Sequence, residues 1–312
     1  MQRHLPGGRL TRNPDGIPAR SRLRSLSCEL SCTIRADGSA LWKSGSTHVL
    51  AAVYAPVAPR IQAQEPSDEA LVSVVIKSGE DHSSIYSPAA TTNASPATFK
   101  DRNSSRTRGL ALLGREWEQL LTTVLSACID RQAHSRTVVQ LVLQVIQDDG
   151  SVLAAALHSA VAALLDAGVP MQKVPVATTF LVVEPKELAD NHDGGINFNQ
   201  LQQQQQQPNR RSAQLLLLDP KRHEELDPSS SVFVIVAENE HPDRILATHS
   251  VGASSLSSSE NKVGGGALSI PTIISCAQAA AKATPVVVTF WRLAMEQRFT
   301  RESQSRCSST SS

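Results

Sequence analysis

TVVQLVLQVIQDDGSVLAAALHSAVAALLDAGVPM, residues 137–171, is the stretch from which the architecture is read. Residues 137–146 are dense in β-branched side chains and flanked by polar turns, which predicts a strand. The acidic turn Asp148-Asp149-Gly150 follows, and a helix opens at Ser151. Leu153, Leu157, Val161, Leu164 and Leu165 fall at helical spacing, so one side of that helix is expected to be apolar. The alanines between them let the helix lie close to a sheet. Gly168 suits the left-handed position that ends a helix, and Pro170 stands just beyond it.

Upstream, SLSCELSCTIR and THVLAAVYAP read as two strands around Asp37-Gly38, a hairpin turn signal. Leu26, Cys28, Leu30, Cys32 and Ile34 alternate with polar residues, which predicts one buried face running through Ile34. A strand is expected at 71–78, a long loop at 79–107 and a helix at 110–129. Leu113, Trp117, Leu120, Val124 and Cys128 form the apolar stripe of that helix. Downstream, VPVATTFLVVE, AQLLLLD and SVFVIVAE read as strands, with RILATHSVG a weaker candidate. A helical region at 270–302 contains Pro285, which is expected to kink or split it.

Strands first, then helices interleaved in mixed order, imply an α+β fold of mixed β-sheets packed with helices. The domain is expected to span 22–302, with low-complexity insertions at about 79–107, 186–211 and 254–268. The second insertion carries a polyglutamine tract, which cannot bury apolar surface. Residues 1–21 and the Ser-rich 303–312 are expected to be disordered tails.

Thirty basic residues stand against twenty-nine acidic ones, so net charge demands neither nucleic acid nor membrane as partner, although a local basic patch is averaged away. The longest apolar run is interrupted by His158 and Asp166 and is too short to span a bilayer; no membrane partner is expected. The N-terminus has no apolar core of a secretory signal, and Pro6, Pro14, Asp15 and Pro18 disfavour an amphipathic presequence. Five cysteines do not read as a disulfide framework, and Cys28 and Cys32 lack zinc-ligand partners. No nucleophile elbow or nucleotide-binding loop is present, and no cofactor is expected.

Two clusters carry chemistry. Asp148 and Asp149, with Asp219, supply carboxylates that could hold a divalent metal, and the N–H groups of the following helix suit an anion. The next positions, Ser151, Val152 and Leu153, provide no cation. The plainer reading is a solvent-facing acidic turn in which one aspartate caps the helix. Arg106, Arg108 and Arg115 could contact RNA phosphates in a salt-sensitive way, or form a solvated loop. The nearby aromatics, Phe99 and Trp117, make a poor stacking platform.

IRADGSALWKSGSTHVLAAVYAP, then LVLQVIQDDGS with LLDAGVPM, then LLLLDP, and finally AQAAAKA occur in an order that resembles the RNase PH family. Within that family the resemblance is to the ring subunits of the eukaryotic RNA exosome, most of all the ribosomal-RNA-processing subunit 46 type (exosome component 5). It implies an RNase PH-like fold, a place among other RNase PH-like ring subunits and RNA-binding cap subunits, and RNA in a central channel. It further implies 3′–5′ RNA processing and degradation, in rRNA maturation and mRNA turnover, and residence in nucleus, nucleolus and cytoplasm. Active phosphorolytic members have Ser-Arg or Thr-Arg where this chain has Val152 and Leu153, and a guanidinium's charge and fork are lost there. Asp219 matches the first catalytic aspartate, Glu225 stands about where the second is expected, and Asp149 belongs to the same remnant. Of a pair of RNA-gripping arginines, Arg115 is kept beside Gly114. The resemblance therefore implies a non-catalytic scaffold subunit; the alternative is an active exoribonuclease using a metal on the carboxylates.

Overall fold

Alternating burial along extended segments builds two sheets. A computed structural model of the chain describes residues 23–58, 69–78, 104–183, 215–225, 230–252 and 270–309. The expected tail 1–21, most of the expected loop 79–107, and the insertions 186–211 and 254–268 lie outside the described residues. The first sheet contains β1 (Leu26–Leu30), β2 (Gly38–Ser44), β3 (Thr47–Val57), β4 (Leu71–Ser78) and β5 (Val138–Gln147). Their order is β1-β2-β3-β5-β4, antiparallel except for the parallel β4–β5 pair. The second sheet contains β6 (Pro175–Val183), β7 (Leu215–Leu218), β8 (Ser230–Glu238) and β9 (Ile245–Gly252), in the antiparallel order β7-β6-β8-β9. Every strand expected after residue 137 is present, RILATHSVG included.

The first hairpin differs from its expected form. GSALWKS is itself a strand, so Asp37-Gly38 leads into β2, and the tight turn lies at Gly45-Ser46 between Ser44 and Thr47. Gly38 is needed for space: a Cβ there would stand 2.3 Å from the Ala167 backbone nitrogen. The β1 alternation holds from Leu26 to Leu30, where Ser31 turns left-handed (φ 55°) and ends the strand. Cys32 is consequently exposed, and Ile34 is fully so at 102%.

Helix α1 (Ser104–Cys128) begins earlier than expected, so Arg106 and Arg108 belong to a helix and not to a loop. It packs on β4, with Leu121, Val124, Leu125 and Cys128 buried. A short 3₁₀ turn (Arg131–His134) leads into β5. Helix α2 (Val152–Ala167) is buried on every side from Val152 to Leu164, not on one stripe. The reason is its position: it touches β2 and β3 of one sheet and β6 of the other, so both flanks face apolar layers. The alanines make that double contact possible. Gly168 ends it with φ 71°, as its place before Pro170 predicts.

A short helix α3 (Arg222–Glu225) follows β7, and α4 (Ile270–Ser309) closes the chain. Pro285 does not split α4, and the helix runs through residues 303–309 of the expected tail. Cys276, Ala280 and Ala283 before the proline and Val287 and Trp291 after it are all buried, so both halves dock on one face against β6, β8 and β1. Pro285 itself is exposed, where water can serve the carbonyl that loses its donor. By length and composition, Ile270–Arg301 would suffice to cross a membrane, so among the described residues the longest apolar helix is α4 rather than α2.

Candidate functional site

The acidic turn between β5 and α2 is shaped by neighbours far away in the chain. Gly150 adopts φ 86°, and a Cβ there would lie 2.6 Å from the backbone of Pro220, Lys221 and Arg222. The segment after β7 therefore presses directly on the turn. Ser151 and Asp219 are both left-handed, at φ 54° and 53°, conformations that non-glycine residues adopt at a cost. The β2–β3 turn supplies the other wall: the Thr47 hydroxyl donates to the Gly150 carbonyl at 2.7 Å and accepts from the Asp149 N–H at 3.1 Å.

Arg24, just before β1, fills the centre. Its Nη2 pairs with Asp219 Oδ1 at 2.7 Å, while its own backbone N–H donates to Asp219 Oδ2 at 3.1 Å. The guanidinium also donates to the carbonyls of Asp149 (2.9 Å) and Gly150 (3.2 Å), and lies 3.8 Å from the Asp149 carboxylate. Ser44 adds a third donor to Asp219 at 3.3 Å. Burial pushes the Asp219 carboxyl up, but the Arg24 hydrogen bonds and charge outweigh it and hold the group below its ordinary value.

The other acids are also engaged within the chain. Asp148 forms an ion pair with Arg222 and accepts from the Gly150 N–H at 3.0 Å. Glu225 accepts from the Ser151 N–H at 2.7 Å, so its carboxylate serves the donor that opens α2. Ser151, the N-cap residue, makes no side-chain capping bond, and neither Asp148 nor Asp149 plays the expected capping part. Burial raises the Glu225 carboxyl to about 7, opposed by the Ser151 N–H, Arg24 and Arg222 and aided by the repulsion of Asp219. Val152 and Leu153 are buried in the main apolar cluster.

The structure therefore brings together Asp148, Asp149, Val152, Leu153, Asp219 and Glu225. The carboxylates of the alternative metal-dependent reading are already engaged. Asp148, Asp149 and Asp219 each face a guanidinium, and among the described residues no three His, Cys, Asp or Glu side chains are grouped to hold a metal ion. Arg115 is exposed on α1, with no hydrogen bond or ion pair to this cluster. Sequence reasoning missed Arg24, Ser44 and Thr47. The local signals, SRLRSL and SGST, become legible only once residues 125 and 195 positions from Arg24 are known to meet it.

Residues 22–170 match the family described as the 3′ exoribonuclease family, domain 1, of RNase PH. Over those residues the chain is similar to domain 1 of the RNase PH family. It is 31% identical over 178 residues to the exosome complex exonuclease RRP46 homolog of Arabidopsis thaliana, covering 54% of this chain and 62% of that protein. The chain thus spans about three-fifths of the length of the curated relatives it matches. The crystal structure of rice (Oryza sativa) Rrp46 superposes with a TM-score of 0.60 at 22% identity, covering 91% of this chain and 100% of that one. The Archaeoglobus fulgidus exosome with RNA bound to its active site gives a TM-score of 0.54 at 17% identity, over 90% and 92% of the two chains. At these identities the two structures establish the RNase PH fold, with its mixed sheets and packed helices.

Proposed function

We propose that this RNase PH-like chain is a non-catalytic subunit of an RNA exosome core ring, of the ribosomal-RNA-processing subunit 46 type. It holds neighbouring RNase PH-like subunits, meets RNA-binding cap subunits and helps line a channel for RNA on its way to a separate nuclease. In that role it supports rRNA maturation and mRNA turnover in nucleus, nucleolus and cytoplasm. The observation that carries the non-catalytic reading is the closed charge pairing around Asp219. Arg24 neutralises that acid from within, Glu225 sits on the N-terminus of α2, and Val152 and Leu153 offer no cation. An incoming phosphate would have to displace a buried ion pair.

Tagging the protein at native expression and identifying what co-purifies tests the assembly: RNase PH-like ring subunits are expected, and a monodisperse monomer without them overturns the reading. Fluorescence imaging of the tagged protein tests its location. For catalysis, the purified protein is incubated with single-stranded RNA and magnesium, manganese or inorganic phosphate. Background turnover is expected, unchanged in a folded Asp219→Asn variant; activity that this variant abolishes favours the metal-dependent exoribonuclease instead. We place RNA contact on Arg106, Arg108 and Arg115. Their combined replacement by alanine is expected to weaken RNA binding and flatten its salt dependence.

A further inference from the structure

We propose that Trp42, His158 and Trp291 enclose a single water molecule shared by their three ring nitrogens. The site shares no residue with the acidic turn and does not rest on the exosome assignment. It joins three elements: Trp42 comes from β2, His158 from the middle of α2 and Trp291 from α4. All three residues are buried, at 0%, 6% and 3% exposure.

The rings form a triangle. Trp42 and His158 centroids are 5.0 Å apart, His158 and Trp291 5.5 Å, and Trp42 and Trp291 5.9 Å. Each carries one buried nitrogen, Trp42 Nε1, His158 Nε2 and Trp291 Nε1, with no hydrogen-bond partner among the described residues. Nearly all buried polar atoms in folded proteins find a partner, so three orphans on mutually touching rings call for a common one.

The chemistry of the three selects the guest. Indole Nε1–H is a donor and nothing else. His158 donates its other ring N–H to the Ala177 backbone, and burial holds the imidazole neutral by lowering it to about 4. Nε2 is therefore an acceptor. Two donors and one acceptor are matched by a molecule that accepts twice and donates once. Water does so, and three hydrogen bonds are its usual number in protein interiors. An ammonium ion lacks the acceptors, and an anion lacks the donor. The water pins α4 to α2 and the first sheet at a point where the helix has just passed Pro285.

The full chain, labelled with ¹⁵N-tryptophan, tests this directly. It has three tryptophans, and Trp117 Nε1 donates to His249 Nε2 at 3.2 Å, giving an internal standard for a protein-bonded indole. Single Trp→Phe variants serve only to assign the signals. Magnetisation transfer from a long-lived water to the indole protons of both Trp42 and Trp291 is expected, with none to Trp117. Transfer to only one of the two overturns the shared site. Absence of transfer to either, with upfield shifts from N–H pointing at a ring face, overturns it as well.

Discussion

Truncating Arg24 to alanine would leave Asp219 buried, with the Ser44 and Ser151 hydroxyls and a backbone N–H beside it and no counter-charge on it. An acid stripped of its buried counter-ion typically costs ~3–5 kcal/mol, and urea denaturation of Arg24→Ala should show a loss of that order. Arg24→Lys should recover only part of it, because a point charge cannot reach Asp219 and the Asp149 and Gly150 carbonyls together. Glu225 makes a prediction of opposite character. Its folded carboxyl is raised from 4.5 to about 7, so the native state binds its proton more tightly than the unfolded chain does. That contribution is complete below about 4.5 and is lost as pH rises to about 7, by as much as roughly 3 kcal/mol. His158 runs the other way: lowered from 6.5 to about 4, it contributes stability above 6.5 that disappears as pH falls toward 4. The two slopes oppose each other through the mildly acidic range. Thermal melts of Glu225→Gln between pH 4.5 and 8 should therefore climb more steeply with pH than those of the parent; parallel curves would contradict the assignment.

At the scale of elements, Pro285 and Gly38 make opposed demands. Pro285 sits at an exposed position inside a continuous α4, so the helix survives on the buried faces of Ala283, Val287 and Trp291 despite a missing bond. Pro285→Ala should raise the melting free energy by about 1–3 kcal/mol, since it restores a donor without disturbing packing. Gly38→Ala should lower it by about 1–3 kcal/mol or more, because the new methyl meets the backbone of Ala167. These elements also show what a sequence can carry. β5 and α2 were legible because β-branched density and a helical repeat are local signals. β2 was not, since its Gly, Ser and Lys weaken any strand pattern and Asp37-Gly38 resembles a turn. The complete burial of α2 was equally hidden. Its composition permits contact on both sides, but only the arrival of β6 from the second sheet makes that contact. Helix α4 defeated the local rule for proline because tertiary docking on both sides of residue 285 outweighs one lost hydrogen bond.

At the scale of the molecule, the candidate site was half legible. Its acids lie in two short stretches, Asp148-Asp149 and Asp219 to Glu225, and each announces itself beside a strand. Its cation does not: Arg24 belongs to neither stretch, and no periodicity connects it to them. That distance in sequence has a kinetic consequence. The Arg24 contacts close chain segments of 125 and 195 residues. Loop entropy must be spent before such contacts reward it, so they form after the hairpin and the β5–α2 unit have assembled. Arg24→Ala should then leave the refolding rate almost unchanged and express nearly all of its destabilisation as faster unfolding in stopped-flow chevron measurements. The buried pair at the silent centre would act as a clasp on the lifetime of the folded state, fastened late and released early.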